Sequence, residues 1–114
     1  MRKTSHDLQA FKAEFFRALA HPIRIRLLEG LLTAERSVQD LQERLGLDQP
    51  TISQHLAVLR TKGIVVARRA GTTVYYAVRD PLVGELLGTA RQIFNNQLVG
   101  TQSMLKELRR ERRR

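Results

Sequence analysis

The sequence predicts a mainly α-helical fold with one small β-hairpin, and three observations carry that prediction. Apolar residues recur at helical spacing along most of the 114 residues. Two of the helical segments are joined by a tight turn at Gly46, which is typical of a helix-turn-helix. Residues 64–78 are rich in Val, Ile, Tyr and Thr and are broken by Ala70-Gly71, which indicates a hairpin. The combination predicts a winged helix-turn-helix of about five helices with a two-stranded antiparallel wing.

The first two helices are predicted from the spacing of their apolar residues. A stripe of Leu and Phe side chains over residues 7–20 indicates the first helix. Pro22 suits the first turn of the second helix, where the missing N–H of proline is not needed. This second helix is apolar on more than one side, so we expect it to lie in the middle of the fold.

Residues 37–62 form the predicted helix-turn-helix. Ser37 can cap the third helix, and Asp40 is placed to act as its capping-box partner. Gly46 fits the left-handed position that ends this helix. Asp48 is the expected cap of the fourth helix, which therefore begins directly after a short turn.

The wing and a long last helix complete the predicted domain. The wing covers residues 64–78, and Asp80-Pro81 provides a cap followed by proline, which predicts the start of a helix. Apolar residues then keep the helical period over residues 81–110. Because there is no internal repeat and no linker, we expect a single winged helix-turn-helix domain over residues 1–114.

The fourth helix has an outer face of amide and hydroxyl groups, where a merely soluble helix would carry Glu and Lys. Such groups can read base edges in the major groove of DNA, since Gln pairs with adenine and Ser or Thr serves several bases. The alternative is an ordinary helical hairpin with a solvated polar face. The candidate base contacts are Gln49, Pro50, Thr51, Ser53 and Gln54.

Four basic side chains are the other candidate DNA contacts. His55 lies at the border of the buried stripe, where it either donates to a phosphate or packs partly buried and bonds to a neighbouring backbone group. Arg60 can reach phosphate, or can simply interact with the helix dipole. Arg68 and Arg69 precede the glycine turn, where a wing touches phosphate or the minor groove.

The charge of the chain favours a polyanionic partner. Lys and Arg number 20 against 11 Asp and Glu, so the net charge is +9. Such an excess favours nucleic acid or an acidic membrane surface, although charge can also serve solubility alone. The last nine residues carry six basic and two acidic side chains. This tail is a solvated helix end, a source of phosphate contacts or a protein-binding segment.

The composition also disfavours several classes of function. The chain has no Cys, which excludes disulfides, thiolate metal sites and thiol switches. It has no signal-peptide pattern and no apolar stretch of about 20 residues, so we expect a cytoplasmic protein without a membrane partner. The acidic residues are scattered and the three His lie in separate elements, so we expect no catalytic site, metal site or cofactor.

The runs FFRALAHPIRIRLLEGL and SVQDLQERLGLDQPTISQHLAVLRTKGIVVARRAGTTVYYAV resemble the ArsR/SmtB, or arsenic-repressor, family of winged-helix regulators. The resemblance implies a bacterial or archaeal homodimeric transcription factor, usually a repressor, that is bound to DNA in the nucleoid. It implies base contacts from Gln49, Ser53 and Gln54. The chain departs from the family at Thr72, where a basic residue is frequent. It also lacks the Cys-x-Cys and last-helix His residues of the metal sensors, and its residues identify no inducer.

A homodimer is expected from the first and last helices, because they carry more apolar surface than one small domain can bury. A two-fold dimer predicts an inverted-repeat operator. The alternative is that these side chains close the monomer core. Two other functions remain open, a non-specific architectural DNA-binding protein and a protein-interaction module. The candidate interface residues are Leu8, Phe11, Phe15, Leu87, Phe94 and Leu98.

Overall fold

A computed structural model describes residues 5–112, which form five helices and three short strands. The described chain falls into two compact units that divide after Pro81. The elements of the first unit, in chain order, are α1 (Ser5–Leu19), α2 (Pro22–Leu31), β1 (Arg36–Ser37), α3 (Val38–Leu45), α4 (Gln49–Thr61), β2 (Val65–Ala70) and β3 (Thr73–Val78). The second unit is one long helix, α5 (Leu82–Arg112). Arg113 and Arg114 of the basic tail lie outside the described residues.

The predicted helix boundaries agree with the structure to within about two residues. The first helix begins earlier than predicted, at Ser5, and the last extends to Arg112. Gly46 ends α3 with φ +67°, the left-handed conformation that glycine adopts without steric cost. Ser37 and Asp48 cap α3 and α4, as predicted, by accepting hydrogen bonds from backbone N–H groups in the first turn.

The capping box predicted at Ser37 forms only in part. The N–H of Asp40 donates to Ser37 Oγ at 3.1 Å, as expected. The carboxylate of Asp40 instead accepts from Arg36 Nη1 at 3.1 Å and from Arg44 Nε at 3.1 Å. These two guanidinium groups lower the pKa of Asp40, chiefly through the hydrogen bond from Arg36. The acidic side chain therefore serves ion pairing rather than a reciprocal cap.

The sheet contains one strand more than the predicted two-stranded wing. β2 and β3 form the expected antiparallel hairpin, with Val65 opposite Val78 and Ala70 opposite Thr73. The short strand β1 adds to the outer edge of β3, which gives the strand order β1-β3-β2. A two-residue strand has no periodicity of its own, and only its pairing with β3 identifies it.

The core of the first unit lies between the helices and the inner face of the sheet. Its fully buried side chains come from α2, α3, α4 and β2, so the second helix lies in the middle of the unit, as predicted. No buried polar side chain is found in the described part of the chain. The largest fully buried residues are Leu27, Leu28, Leu41, Ile52, Leu56, Leu59 and Val65.

Candidate nucleic-acid interface

The helix α4 buries one stripe and exposes the opposite face. Ile52, Leu56 and Leu59 are at most 1% exposed and fix the helix against the core. Since an α-helix turns 100° per residue, the face opposite this stripe belongs to side chains spaced three or four residues apart. All of them are exposed, namely Pro50, Gln54, Ala57 and Thr61. This row, which we call the crest of α4, is uncharged and free of bulky groups.

One flank of α4 faces the sheet. Gln49 and Ser53 are joined there by a hydrogen bond of 2.7 Å from Gln49 Nε2 to Ser53 Oγ. Arg60 lies two turns further along the same flank and is exposed. Ser53, Ala57, Arg60 and Thr61 line a cleft of about 440 Å³ together with Tyr76 of β3. The flank thus combines amide, hydroxyl and guanidinium groups beside the crest.

Thr51 and Lys62, on the other flank, are engaged within the protein. Thr51 Oγ1 donates to Asp48 Oδ1 at 2.7 Å, and the Thr51 N–H donates to Asp48 Oδ2 at 3.3 Å. These bonds, led by that from the Thr51 hydroxyl, lower the pKa of Asp48. Lys62 Nζ forms an ion pair with Glu14 of α1 at 3.2 Å. Thr51 therefore holds the capping carboxylate of Asp48 in place, whatever contact it makes with DNA.

His55 is half-buried on the same flank. Its ring lies against the ring of His21, with centroids 4.3 Å apart, and Arg24 Nη1 is 3.4 Å from its Nδ1. Burial lowers the pKa of His55, and the neighbouring His21 and Arg24 lower it further. Arg24 also donates from Nε to Ala18 O at 2.7 Å, which holds its guanidinium at the end of α1. The neutral imidazole is consequently favoured at neutral pH.

The two wing arginines lie on opposite faces of β2, because successive side chains of a strand alternate. Arg68 forms a bidentate ion pair with Glu35, and its guanidinium carbon is 5.2 Å from the centre of the Tyr75 ring. The hydrogen bond to Glu35 raises the pKa of Arg68, and the same bond lowers the pKa of Glu35. Arg69 is exposed, and none of the ion pairs within residues 5–112 involves it.

Register places Arg69 on the face of the sheet that also carries Tyr76. Tyr76 is opposite Ala67 across the hairpin, and Ala67 and Arg69 are two residues apart on one strand. Val65, which is 1% exposed, shares this face, so it is the face turned toward the core and α4. The predicted residues Gln49, Ser53 and Arg60 therefore share a region with Tyr76, whereas Arg68 lies on the outer face of the wing.

Sequence reasoning did not select Tyr76, Ala57 or Thr61. Ala57 and Thr61 could have been found from their helical spacing, since they lie three and seven residues after Gln54. The alternation of β3 could have placed Tyr76 on the inner face. No local pattern pairs Arg68 with Glu35, since 33 positions separate them.

The proposed interface residues of α1 and α5 differ in exposure. Leu8 and Phe11 of α1 are 52% and 72% exposed. Phe94 and Leu98 of α5 are 59% and 64% exposed. Phe15 and Leu87 are half-buried. Each helix therefore presents large apolar side chains to solvent in the isolated chain.

Over the described range, no three His, Asp or Glu side chains come together in a group that could hold a metal ion. The same range contains no helix with the length and apolarity needed to cross a membrane.

The chain was compared with known proteins. A family model described as bacterial regulatory protein, arsR family, matches residues 21–66. Rv0081 of Mycobacterium tuberculosis, an uncharacterised HTH-type transcriptional regulator, is 43% identical over 106 residues, which cover 92% of this chain and 93% of Rv0081. The chain belongs to the arsR family. The resemblance to ArsR/SmtB proteins and the prediction of a DNA-binding transcriptional regulator are thereby confirmed.

Solved structures agree with the winged helix-turn-helix fold of this arsR-family protein. The crystal structure of Rv0081 has a TM-score of 0.75 at 45% identity, covering 81% of this chain and 93% of that one. The solution structure of Mb0332 from Mycobacterium bovis, a homodimeric winged helix-turn-helix domain, has a TM-score of 0.76 at 28% identity, covering 86% and 91%. The biofilm growth-associated repressor of Xylella fastidiosa is 36% identical over 75% of each chain. By name, Rv0081 is a transcriptional regulator, the Xylella protein is a repressor, and Mb0332 is a possible transcriptional regulator of the ArsR family.

Proposed function

We propose that this arsR-family regulator is a dimeric repressor that binds an inverted-repeat operator in the bacterial cytoplasm and blocks a promoter. The observation that carries the proposal is the crest of α4, whose exposed uncharged side chains border the amide and guanidinium groups of the wing-side flank. Small residues allow a helix to approach base edges closely, and Gln54 is the side chain there best able to distinguish bases. The wing supplies sequence-independent contacts to phosphate.

The proposed dimer is supported by the exposed apolar residues of α1 and α5. Leu8 and Phe11 lie three residues apart on α1, and Phe94 and Leu98 lie four apart on α5, so each pair forms an exposed apolar patch. Exposed apolar patches of this kind mark interaction sites when they are large. α5 has 31 residues and keeps exposed apolar residues as far as Leu108. The homodimeric state of the relative Mb0332 supports a dimer. Two recognition helices about one helical turn of DNA apart would then meet two half-sites.

The wing contact is proposed for Arg69 first and Arg68 second. Arg69 is exposed on the inner face of the sheet, whereas Arg68 must release Glu35 before it can bind phosphate. An ion pair with a carboxylate competes directly with a phosphate for the same guanidinium. Arg69 is thus expected to contribute more to the affinity for any DNA sequence.

The experiment compares three variants on two DNA duplexes. The wild-type protein first selects a specific duplex from a random-sequence pool, and a scrambled duplex serves as reference. Gln54→Ala should weaken binding to the selected duplex by about 1–3 kcal/mol and leave the scrambled duplex nearly unchanged. Arg69→Ala should weaken both equally and reduce the salt slope by about one. Gln39→Ala, an exposed glutamine of α3, is the matched control.

Two outcomes would replace the proposal. If wild-type protein binds selected and scrambled duplexes equally, the chain is an architectural DNA-binding protein, the function that the net charge of +9 also favours. If Gln54→Ala and Arg69→Glu both leave DNA binding and regulation intact, the winged fold serves a protein partner instead.

A further inference from the structure

The cleft between α4 and β3 has the chemistry of an anion site. Its volume is about 440 Å³, and its lining residues are Ser53, Ala57, Arg60, Thr61 and Tyr76. Four of these five side chains carry a hydroxyl or a guanidinium group, and none carries a carboxylate. Such a set of donors and positive charge suits a phosphate oxygen.

The donors of the cleft are available for a ligand. Ser53 Oγ already accepts a hydrogen bond from Gln49 Nε2 at 2.7 Å, so the hydroxyl proton of Ser53 is left to be donated. Arg60 is exposed, and none of the ion pairs within residues 5–112 engages it. In contrast, the nearby Lys62 is paired with Glu14. The guanidinium that lines the cleft therefore has no competing carboxylate within the described residues.

The position of the cleft favours a phosphate of the DNA backbone as its ligand. Ala57 and Thr61 belong both to the lining of the cleft and to the crest of α4, so the cleft is continuous with the surface that carries Gln54. Arg69 lies on the same sheet face as Tyr76. A DNA strand beside a groove occupied by α4 would therefore meet donors from the helix and from the wing at once.

We propose that this cleft seats one backbone phosphodiester of the operator, held by Arg60 with the hydroxyl groups of Ser53 and Tyr76. The inference rests on the proposed DNA-binding function and adds to it a site that joins helix and wing. It also gives Ser53 a different role from the predicted one, because its hydroxyl donates to phosphate and not to a base edge. Phosphate contacts of this kind fix the register of a protein on the duplex without reading sequence.

Tyr76→Phe and Arg60→Gln test the two principal donors. Tyr76→Phe removes one hydroxyl group and should weaken binding to selected and scrambled duplexes alike, by about 2- to 10-fold. Arg60→Gln should weaken both and lower the salt slope by about one. Tyr75→Phe is the matched control, because Tyr75 is the neighbouring tyrosine on the outer face, against Arg68. Unchanged melting temperatures will show that the variants fold.

Neutral methylphosphonate groups, placed one at a time along the selected duplex, locate the phosphate. At one position per half-site, the substitution should weaken binding of the wild type but not of the Arg60→Gln/Tyr76→Phe double variant. At phosphates that other residues such as Arg69 contact, it should weaken binding of both proteins. The proposal is overturned if every position weakens wild type and double variant by the same factor. It is also overturned if inorganic phosphate shifts the resonances of Tyr76, which would show that the ion fills the cleft, while no methylphosphonate position distinguishes the wild type from the double variant.

A failure of the proposed sequence-specific function gives a different result from a failure of the phosphate site. Wild-type protein would then bind selected and scrambled duplexes equally, yet the salt slope of Arg60→Gln on scrambled DNA could still be measured. An unchanged slope there would overturn the phosphate site on its own.

Discussion

At the scale of single residues, the positively charged side chains of this protein divide into those held internally and those open to a ligand. Arg24, Arg36 and Arg68 donate to groups of the protein itself. Arg36 is 12% exposed, and its guanidinium joins Gly30 at the end of α2 to Asp40 in α3. The formal charge of the chain therefore overstates the number of positively charged side chains that are available to DNA phosphates.

The half-buried His55 makes stability depend on pH. Because its pKa is lowered in the folded protein, the unfolded chain, with a pKa of about 6.5, binds the proton more tightly. The contribution of the neutral His55 ring to the free energy of unfolding is therefore complete above about pH 6.5. It is lost as the pH falls toward the lowered pKa of His55 in the folded protein. Urea unfolding between pH 8 and pH 5 should show a midpoint that decreases in wild type and decreases less in His55→Gln.

The control for this prediction is His6→Gln, which removes an exposed histidine of α1. Its curve should run parallel to that of wild type. If the curve of His55→Gln also runs parallel to that of wild type, neither the burial of His55 nor its contact with His21 and Arg24 opposes protonation.

At the scale of elements, local signals predicted the helices well and the contacts between elements poorly. Ser37, Gly46 and Asp48 act within one helical turn of their own positions, so the sequence around them is sufficient to place helix ends. The strand β1 and the ion pair between Arg68 and Glu35 depend on residues brought together by the tertiary fold. The same holds for the cleft at Tyr76, which needs both the helix and the sheet.

The connection between Glu35 and the wing can be tested through DNA affinity. Glu35→Gln releases Arg68 from its carboxylate, so binding to any duplex should tighten and the salt slope should rise by about one. Glu43→Gln removes the same charge from an exposed residue of α3 that has no ion pair in the described chain. Equal effects of the two variants, measured by fluorescence anisotropy, would exclude Arg68 from the phosphate contacts.

At the scale of the whole molecule, the two units differ in how far their apolar side chains are buried. The first unit has an apolar core closed by the helix-turn-helix and the sheet. The second unit is a single helix whose apolar residues remain largely exposed in one chain. An isolated helix of this kind is seldom stable without a partner surface, which is the physical basis for expecting a second copy.

Disruption of that proposed interface should abolish cooperative recognition of two half-sites. Leu98→Asp places a charge among exposed apolar residues of α5, so light scattering should report a monomer and operator affinity should fall by about 10²- to 10⁴-fold. Asn96→Asp adds the same charge at another exposed position of α5 and should leave a dimer. A wild-type protein that is monomeric at micromolar concentration would contradict the dimer.

The alternation of Arg68 and Arg69 across β2 has a consequence for the evolution of such wings. The two arginines are chemically identical. Which one meets Glu35 depends only on whether the number of residues between it and the turn at Gly71 is odd or even. A single-residue insertion or deletion in this strand would exchange their environments while leaving the composition almost unchanged. Such a change would place the ion-paired arginine on the inner face, and the net charge of the wing would not reveal it.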